Sequence, residues 1–499
     1  MLPFLLRGGK AGMEVCPSFD LPHPQCYNPP SRHTLPVGAF VVQNSVSKRT
    51  ALIVVSTGSF LTPFMGSSVN IALPSISRDL MMDAILLSWI ATAYSLSSAI
   101  FLVPFGRAAD IHGRRRVFLV GMAIYGVFSL LCGLASSGTM LVAFRVLQGI
   151  GGAMLFGTGV AILTSVFPPQ ERGQALGINV AAVYMGLSLG PVLGGLLTYN
   201  LGWRSVFLIN VPLAAVVIAI TLAYLRGEWA ECKGEPFDWR GAAIYGAGLA
   251  SLMYGFSRLP GALGAALVVM GIAGIAAFAA WESRVRFPVL DVNLFRRSKV
   301  FALSNLAALI NYSATAAIGF LLSLYLQYIK ALTPQQAGMV LVAQPAMQAI
   351  FSPLAGRLSD RVEPRIVASA GMSLTVVGLV LLTFLNAATP LAFIIASLLF
   401  LGLGFALFSS PNMNAIMGSV EKRFYGVASA TQGTMRLTGQ MLSMGSVMLI
   451  FSLTIGRVQI TPEYYPQFLR AAHTAFILFA ILCFGGIFAS LARGRVRAA

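Results

Sequence analysis

Apolar runs long enough to cross a bilayer recur from residue 51 to residue 492, with short polar loops between most of them. Nothing else in the chain restricts its folding as much. In hydrocarbon every backbone N–H and C=O needs a partner inside the protein, so only helices and closed barrels span a membrane. A membrane barrel would alternate apolar and polar residues in segments of roughly ten, and no such alternation dominates. The chain therefore reads as an all-α polytopic membrane protein. Its composition agrees: 57% of residues are hydrophobic and 10% charged, against about 25% charged in a soluble domain.

The first six runs lie at 51–73, 86–106, 117–136, 140–163, 174–199 and 204–225. Two more follow at 241–257 and 261–281. The last six lie at 300–326, 336–357, 366–386, 389–410, 425–453 and 471–492. This predicts fourteen spans arranged six, two, six. One loop is repeated across the two sets of six. Gly106-Arg107-Ala-Ala-Asp110-Ile-His-Gly113-Arg114-Arg115-Arg116 finds a weaker copy 250 residues on, in Gly356-Arg357-Leu-Ser-Asp360-Arg361-Val-Glu363-Pro-Arg365. A repeated loop between spans points to a duplicated bundle. The expected domains are a disordered cytoplasmic tail (1–49), an N-terminal six-helix bundle (50–226), a linker with two extra spans (227–299), a C-terminal six-helix bundle (300–493) and a short cytoplasmic tail (494–499). Two six-span bundles with corresponding loops are the build of a rocking-bundle secondary transporter.

The net charge of +18 is read as a membrane signal and not as a nucleic-acid footprint, because Lys and Arg mark cytoplasmic loops. With both termini inside, the outer loops hold only Arg78, Arg204, Arg258, Lys330, Arg457 and Arg470. Arg145 and Arg436 fall within spans, and every other basic residue faces the cytoplasm. The expectation is a multi-pass protein of the inner (plasma) membrane. The five cysteines show neither metal-ligand spacing nor a disulfide framework. No G-x-x-x-x-G-K-[ST] stretch, H-E-x-x-H stretch or Ser/His/Asp cluster occurs. No enzyme activity, metal or cofactor is therefore expected. The partners expected are a small-molecule cargo, protons and membrane lipid.

Inside the spans, a few residues carry the mechanism. Gly186, Gly190 and Gly194 are spaced by four and form a small-residue stripe, which lets helices approach closely in lipid. Pro191 and Gly195 adjoin it, and a proline beside such a stripe makes a bendable helix. Arg145 and Gln148 share one helix face, and Arg436 lies near mid-span. A charge at the bilayer centre costs at least ~2.5–3.5 kcal/mol, so both arginines should face the bundle interior or a wet cavity. Asn70, Asn311, Gln344, Gln348, Asn412, Asn414 and Gln432 are further polar residues in or near spans. Tyr94, Tyr184, Tyr312 and Phe320 are candidates to line an apolar cavity. All 16 Asp and Glu lie in tails, loops or span ends.

Several stretches together resemble one family. The 106–116 loop resembles motif A of the major facilitator superfamily, Arg145-Val-Leu-Gln148-Gly149-Ile-Gly151-Gly152 resembles motif B, and Gly190-Pro191-Val-Leu-Gly194-Gly195 looks like the antiporter motif C. Val69-Asn70-Ile-Ala-Leu73-Pro74, Trp89-Ile-Ala-Thr-Ala-Tyr94, Phe207-Leu-Ile-Asn210-Val-Pro212 and Arg436-Leu-Thr-Gly439 look like the fourteen-span drug:proton antiporter branch. The resemblance implies the major facilitator fold and a multidrug exporter working by alternating access. It implies that Gly106, Asp110, Gly113, Arg114, Gly356, Asp360 and Arg361 form a latch between bundles, and that Gly186, Gly190, Pro191, Gly194 and Gly195 occlude a leak path. Asn70, Arg145, Gln148 and Arg436 would then lie on the cargo or proton path. In double-membrane bacteria it implies a periplasmic adaptor and an outer-membrane channel as partners.

The sequence departs from the family at telling positions. Met65 stands where the first helix usually has an acid, Ile111 replaces the basic residue after Asp110, and Glu363 stands where the second loop copy would have glycine. Two in-span arginines with no in-span acid favour neutral or anionic amphipathic cargo. The alternative is an uptake permease or facilitator for a small metabolite.

Overall fold

The computed structural model describes residues 48–494, apart from 169–170, 231, 286–287, 291–294, 297 and 421–424. Apart from their innermost residues, the tails expected at 1–49 and 494–499 lie outside the described residues. The described chain contains fourteen long helices. They are α1 (Lys48–Asp79), α2 (Ala84–His112), α3 (Arg114–Gly133), α4 (Gly138–Val166), α5 (Arg172–Leu201), α6 (Arg204–Tyr224) and α7 (Trp239–Arg258). Then come α8 (Ala262–Glu282), α9 (Lys299–Ile329), α10 (Pro334–Leu341 and Ala343–Arg361), α11 (Pro364–Leu382), α12 (Leu391–Gly418), α13 (Tyr425–Thr454) and α14 (Tyr465–Ala492). Thirteen are long and apolar enough to cross a membrane. The exception is α7, whose 20 residues are diluted by Gly241, Tyr245, Gly246, Gly248, Tyr254 and Gly255. It packs mainly against protein, on α2, α8 and α13.

Helix starts are set by side chains that take up otherwise orphaned backbone N–H groups. Asp83 accepts from Leu86 N at 2.7 Å, Asp238 from Arg240 N and Gly241 N, Ser137 from Met140 N and Ser298 from Phe301 N. Thr333 and Gln336 form a reciprocal capping box with Pro334 in the first turn of α10.

Helix pairing repeats itself with a shift of eight helices. The pairs α1–α5, α2–α4, α3–α4 and α3–α6 recur as α9–α13, α10–α12, α11–α12 and α11–α14. The two sets of six are joined by α1–α9, α2–α13 and α5–α10 contacts. The last two exchange under the same shift, as a pseudo-two-fold relation requires. The α7–α8 hairpin sits outside the repeat, with Tyr245, Leu249 and Met253 of α7 and Phe278 of α8 packed with Leu96, Leu102, Leu437 and Met441.

Candidate functional site

The three joining pairs surround a central cavity of about 1140 Å³, walled by α1, α2, α4 and α5 on one side and α9, α10, α12 and α13 on the other. Its lining runs down α5 as far as Leu176 and down α10 as far as Pro353, close to the arginine-rich ends of both helices. Toward the opposite end the lining stops at Asn70, Pro191 and Leu341, although α1 and α5 continue to Asp79 and Leu201. The cavity is therefore open at the arginine-rich end and sealed at the other.

The seal is built from backbone chemistry. Pro74 lies inside α1 and has no N–H to give the Asn70 carbonyl four residues back. Ser323 Oγ of α9 donates to that oxygen at 2.5 Å. Beside it Gln327 Nε2, carried on a π-helical turn (Tyr325–Ile329), donates to the Ile71 carbonyl at 2.9 Å. Ala84 N donates to the Val458 carbonyl, and Gln459 Nε2 to that of Ser77. Four hydrogen bonds thus cross between the two sets of helices at this end.

The glycines of α5 divide between two faces. A methyl group on Gly186 would lie 2.5 Å from the Phe60 carbonyl oxygen, one on Gly190 2.5 Å from Ser67 Cβ, and one on Gly194 2.6 Å from Ser68 Cα. The stripe thus seats α1 of the same bundle, and Ser68 Oγ donates to the Gly190 carbonyl. The contact with the other bundle is made one residue along. A methyl on Gly195 would meet the Pro334 carbonyl oxygen at 2.6 Å, and one on Gly338 would fall on the Pro191 carbonyl.

The two in-span arginines differ in what they touch. Arg145 is 1% exposed. Its Nε donates to the Ile90 carbonyl at 3.1 Å, its Nη1 to Gln148 Oε1 at 2.5 Å, and its guanidinium lies 4.4 Å from the Tyr94 ring centroid. Gln148 in turn donates to Ser129 Oγ at 2.7 Å and does not line the cavity. Gln148 is thus a brace for Arg145, set away from the path where the sequence reading placed it. Arg436 is half-buried and stands 5.0 Å from the Phe156 ring centroid. Among the described residues it has no hydrogen-bond or ion-pair partner. Arg145 and Arg436 are the only charged side chains in the cavity wall; no Asp, Glu, Lys or His lines it among the described residues.

Of the other polar candidates, Asn70, Gln344, Gln348, Asn414 and Gln432 line the cavity, whereas Asn311 and Asn412 do not. Tyr94, Tyr184 and Tyr312 line it too. Phe320 is fully buried against Phe451 instead. Phe156, Phe405, Ser409 and Gln440 also line the cavity and were not singled out in the sequence, because their types recur throughout the spans and carry no local signal.

At the arginine-rich end, Asp110 pairs with Arg114 at 2.8 Å, and Arg114 Nη1 donates to Ser165 Oγ of α4 at 2.6 Å. The linker after α6 lies over this loop. Glu228 accepts from Arg115 N at 2.9 Å, Trp229 O from Arg114 N, and Asp110 O from Cys232 N, while Glu235 pairs with Arg107. Gly113 has φ +113°, and a Cβ there would overlap the Glu228 carboxylate. Both facts demand glycine. The second copy turns differently. Glu363 has φ −53° and leads into Pro364 at the start of α11, so no glycine is needed. A methyl on Gly106 would meet nothing within 4 Å, whereas one on Gly356 would lie 2.9 Å from Ser410 Oγ. Arg361 is exposed at the end of α10, and the side chain of Asp360 lies outside the described residues.

One buried cation was missed in the sequence. Arg493, just beyond α14, donates to Asn412 Oδ1 at 2.7 Å, Ser304 Oγ at 3.2 Å and the Pro364 carbonyl at 2.8 Å. Burial brings its guanidinium down to about 10, still protonated at neutral pH. It ties α14 to α9, α11 and α12.

Comparison with known proteins agrees with this architecture. The sequence pattern of the Major Facilitator Superfamily matches residues 55–238 and 305–498. The chain is 28% identical over 443 residues to the riboflavin transporter RibZ of Clostridioides difficile, covering 88% of this chain and 96% of that protein. It is 32% identical over 406 residues to the multidrug resistance protein Stp of Mycobacterium tuberculosis, covering 80% and 75%. Among solved structures, a bacterial homologue of the human lysosomal transporter Spinster superposes with a TM-score of 0.66 at 16% identity, covering 89% of this chain and 96% of that one. The repeated six-helix pairing, the inserted hairpin and the central cavity are those of an integral membrane transporter, and the chain belongs to the major facilitator superfamily.

Proposed function

We propose that this protein is a secondary-active exporter that moves neutral or anionic amphipathic molecules out of the cell by alternating access. The observation that carries this is the cavity wall: aromatic and aliphatic, with two guanidinium groups and no carboxylate among the described residues. The arginine-rich end is the cytoplasmic one, because basic loops stay inside. On that orientation the cavity opens to the cytoplasm, both described chain ends lie on the cytoplasmic side, and the Ser323–Asn70 seal faces outward. Similarity to a multidrug resistance protein supports export. Coupling to proton entry rests on the resemblance of the Gly190–Gly195 stretch to the antiporter motif. In a host with two membranes, a periplasmic adaptor and outer-membrane channel would complete the path, and co-purification tests that part.

The test is concentrative transport in proteoliposomes with an imposed pH gradient. Movement against a cargo gradient that stops when an ionophore collapses the pH difference supports proton-coupled export. Movement indifferent to the pH gradient removes the proton coupling and leaves a facilitator. Similarity to a riboflavin transporter favours the second reading, a permease for a small metabolite; inward accumulation driven by the same gradient would establish it.

A further inference from the structure

We infer that Arg436 is the anchor for an anionic head group, and that the cargo is an aromatic amphiphile carrying one carboxylate or sulfonate. The inference rests on the exporter reading above and sharpens it by separating the two arginines. A guanidinium has five N–H donors and no acceptor. Arg145 gives two of its donors to Ile90 and Gln148 and its face to Tyr94. Its charge holds the wall together. Arg436 lines the same cavity with no hydrogen-bond or ion-pair partner among the described residues. The Phe156 ring lies against it, and that contact leaves the edge donors without a hydrogen-bond partner among the described residues. A planar fork of free N–H groups is matched by two oxygens of a carboxylate or sulfonate.

The surroundings fit the rest of such a molecule. Gln432 and Gln440 lie one helical turn to either side of Arg436 on α13 and line the cavity, supplying neutral hydrogen-bonding groups around the charge. Tyr312 and Phe405 meet edge to face with centroids 5.5 Å apart and, with Tyr184, present ring surfaces in the same wall. The volume, about 1140 Å³, is a little above the roughly 300–1,000 Å³ of small-molecule sites and holds several fused rings. A cation would find no carboxylate in the wall and would meet two guanidinium groups.

The test compares two fluorescent probes with one ring system, anilinonaphthalene sulfonate and the neutral phenylnaphthylamine, in proteoliposomes. Wild type, Arg436→Gln and Arg436→Lys are each checked for monodispersity. The expected result is that Arg436→Gln lowers the sulfonate-to-amine transport ratio at least about tenfold, while Arg436→Lys keeps most of it. Arg145→Gln is expected to depress both probes together. An unchanged ratio in Arg436→Gln overturns the inference. Wild type that moves the amine and ignores the sulfonate also overturns it, yet leaves the exporter reading in place. Wild type that moves neither probe in either direction counts against both.

Discussion

The Arg436 guanidinium stands 5.0 Å from the centroid of the Phe156 ring, across the seam between the two bundles. A cation over a ring face contributes about 0.5–2 kcal/mol, and here the contact joins α13 to α4 in the state whose Ser323–Asn70 end is sealed. Phe156→Leu should therefore weaken the inward-facing state by about 1 kcal/mol, a shift of roughly fivefold in its population. Labelling rates of a reporter cysteine on the stretch of α5 near Leu176, at the open end of the cavity, with and without the substitution, check this. Equal rates would mean that the ring does not bias the equilibrium.

Ser323 should matter for the opposite gate. Its hydroxyl serves a carbonyl that Pro74 has left open, and a bond of this kind contributes ~0.5–1.5 kcal/mol net. Ser323→Ala should raise outward opening about two- to tenfold. An impermeant maleimide added from outside to a Gly319→Cys reporter measures it.

The two faces of α5 make different demands. Gly190→Ala places a methyl against Ser67 within one bundle, so it should lower thermal stability by about 1–3 kcal/mol, the usual overpacking cost. Gly195→Ala presses on the Pro334 backbone of the other bundle. It should leave the melting temperature nearer to wild type and slow transport or open a leak. Thermal unfolding in detergent and a liposome leak assay separate the two outcomes.

Asp110→Asn breaks the Arg114 pair, whose carboxylate is 32% exposed. Such a pair adds little to stability, so expression should hold while turnover falls. Normal turnover would reduce Asp110 to a helix-end charge without a gating role. Gly113→Ala is a harsher change at the same corner, because a positive φ and the Glu228 carboxylate both oppose a methyl. It should cost about 1–3 kcal/mol, with Glu228→Ala relieving part of the loss.

The apolar runs and the 250-residue loop repeat made the fourteen helices and their duplicated plan legible, because hydrophobic length and loop punctuation are local properties of a chain. The spacing of Gly186, Gly190 and Gly194 likewise foretold close packing, and the structure gives that stripe to α1 of the same bundle. What stayed hidden depends on partners far away in sequence. Nothing near Arg145 shows that the Ile90 carbonyl takes its Nε, or near Arg436 that it lacks a hydrogen-bond partner among the described residues. The charged linker looked like a spacer, yet Glu228 and Glu235 lie on the motif A loop. Arg493, at the very end of the last bundle, drew no notice because its acceptors lie on α9, α11 and α12.

The central claim, that this cavity selects anionic and neutral amphiphiles for export, is tested most directly by transport in proteoliposomes with an imposed pH gradient. A lipophilic aromatic acid, a neutral lipophile and ethidium are assayed side by side. The account predicts gradient-dependent movement of the first two and little of the third. Efficient ethidium transport with the acid ignored would contradict it.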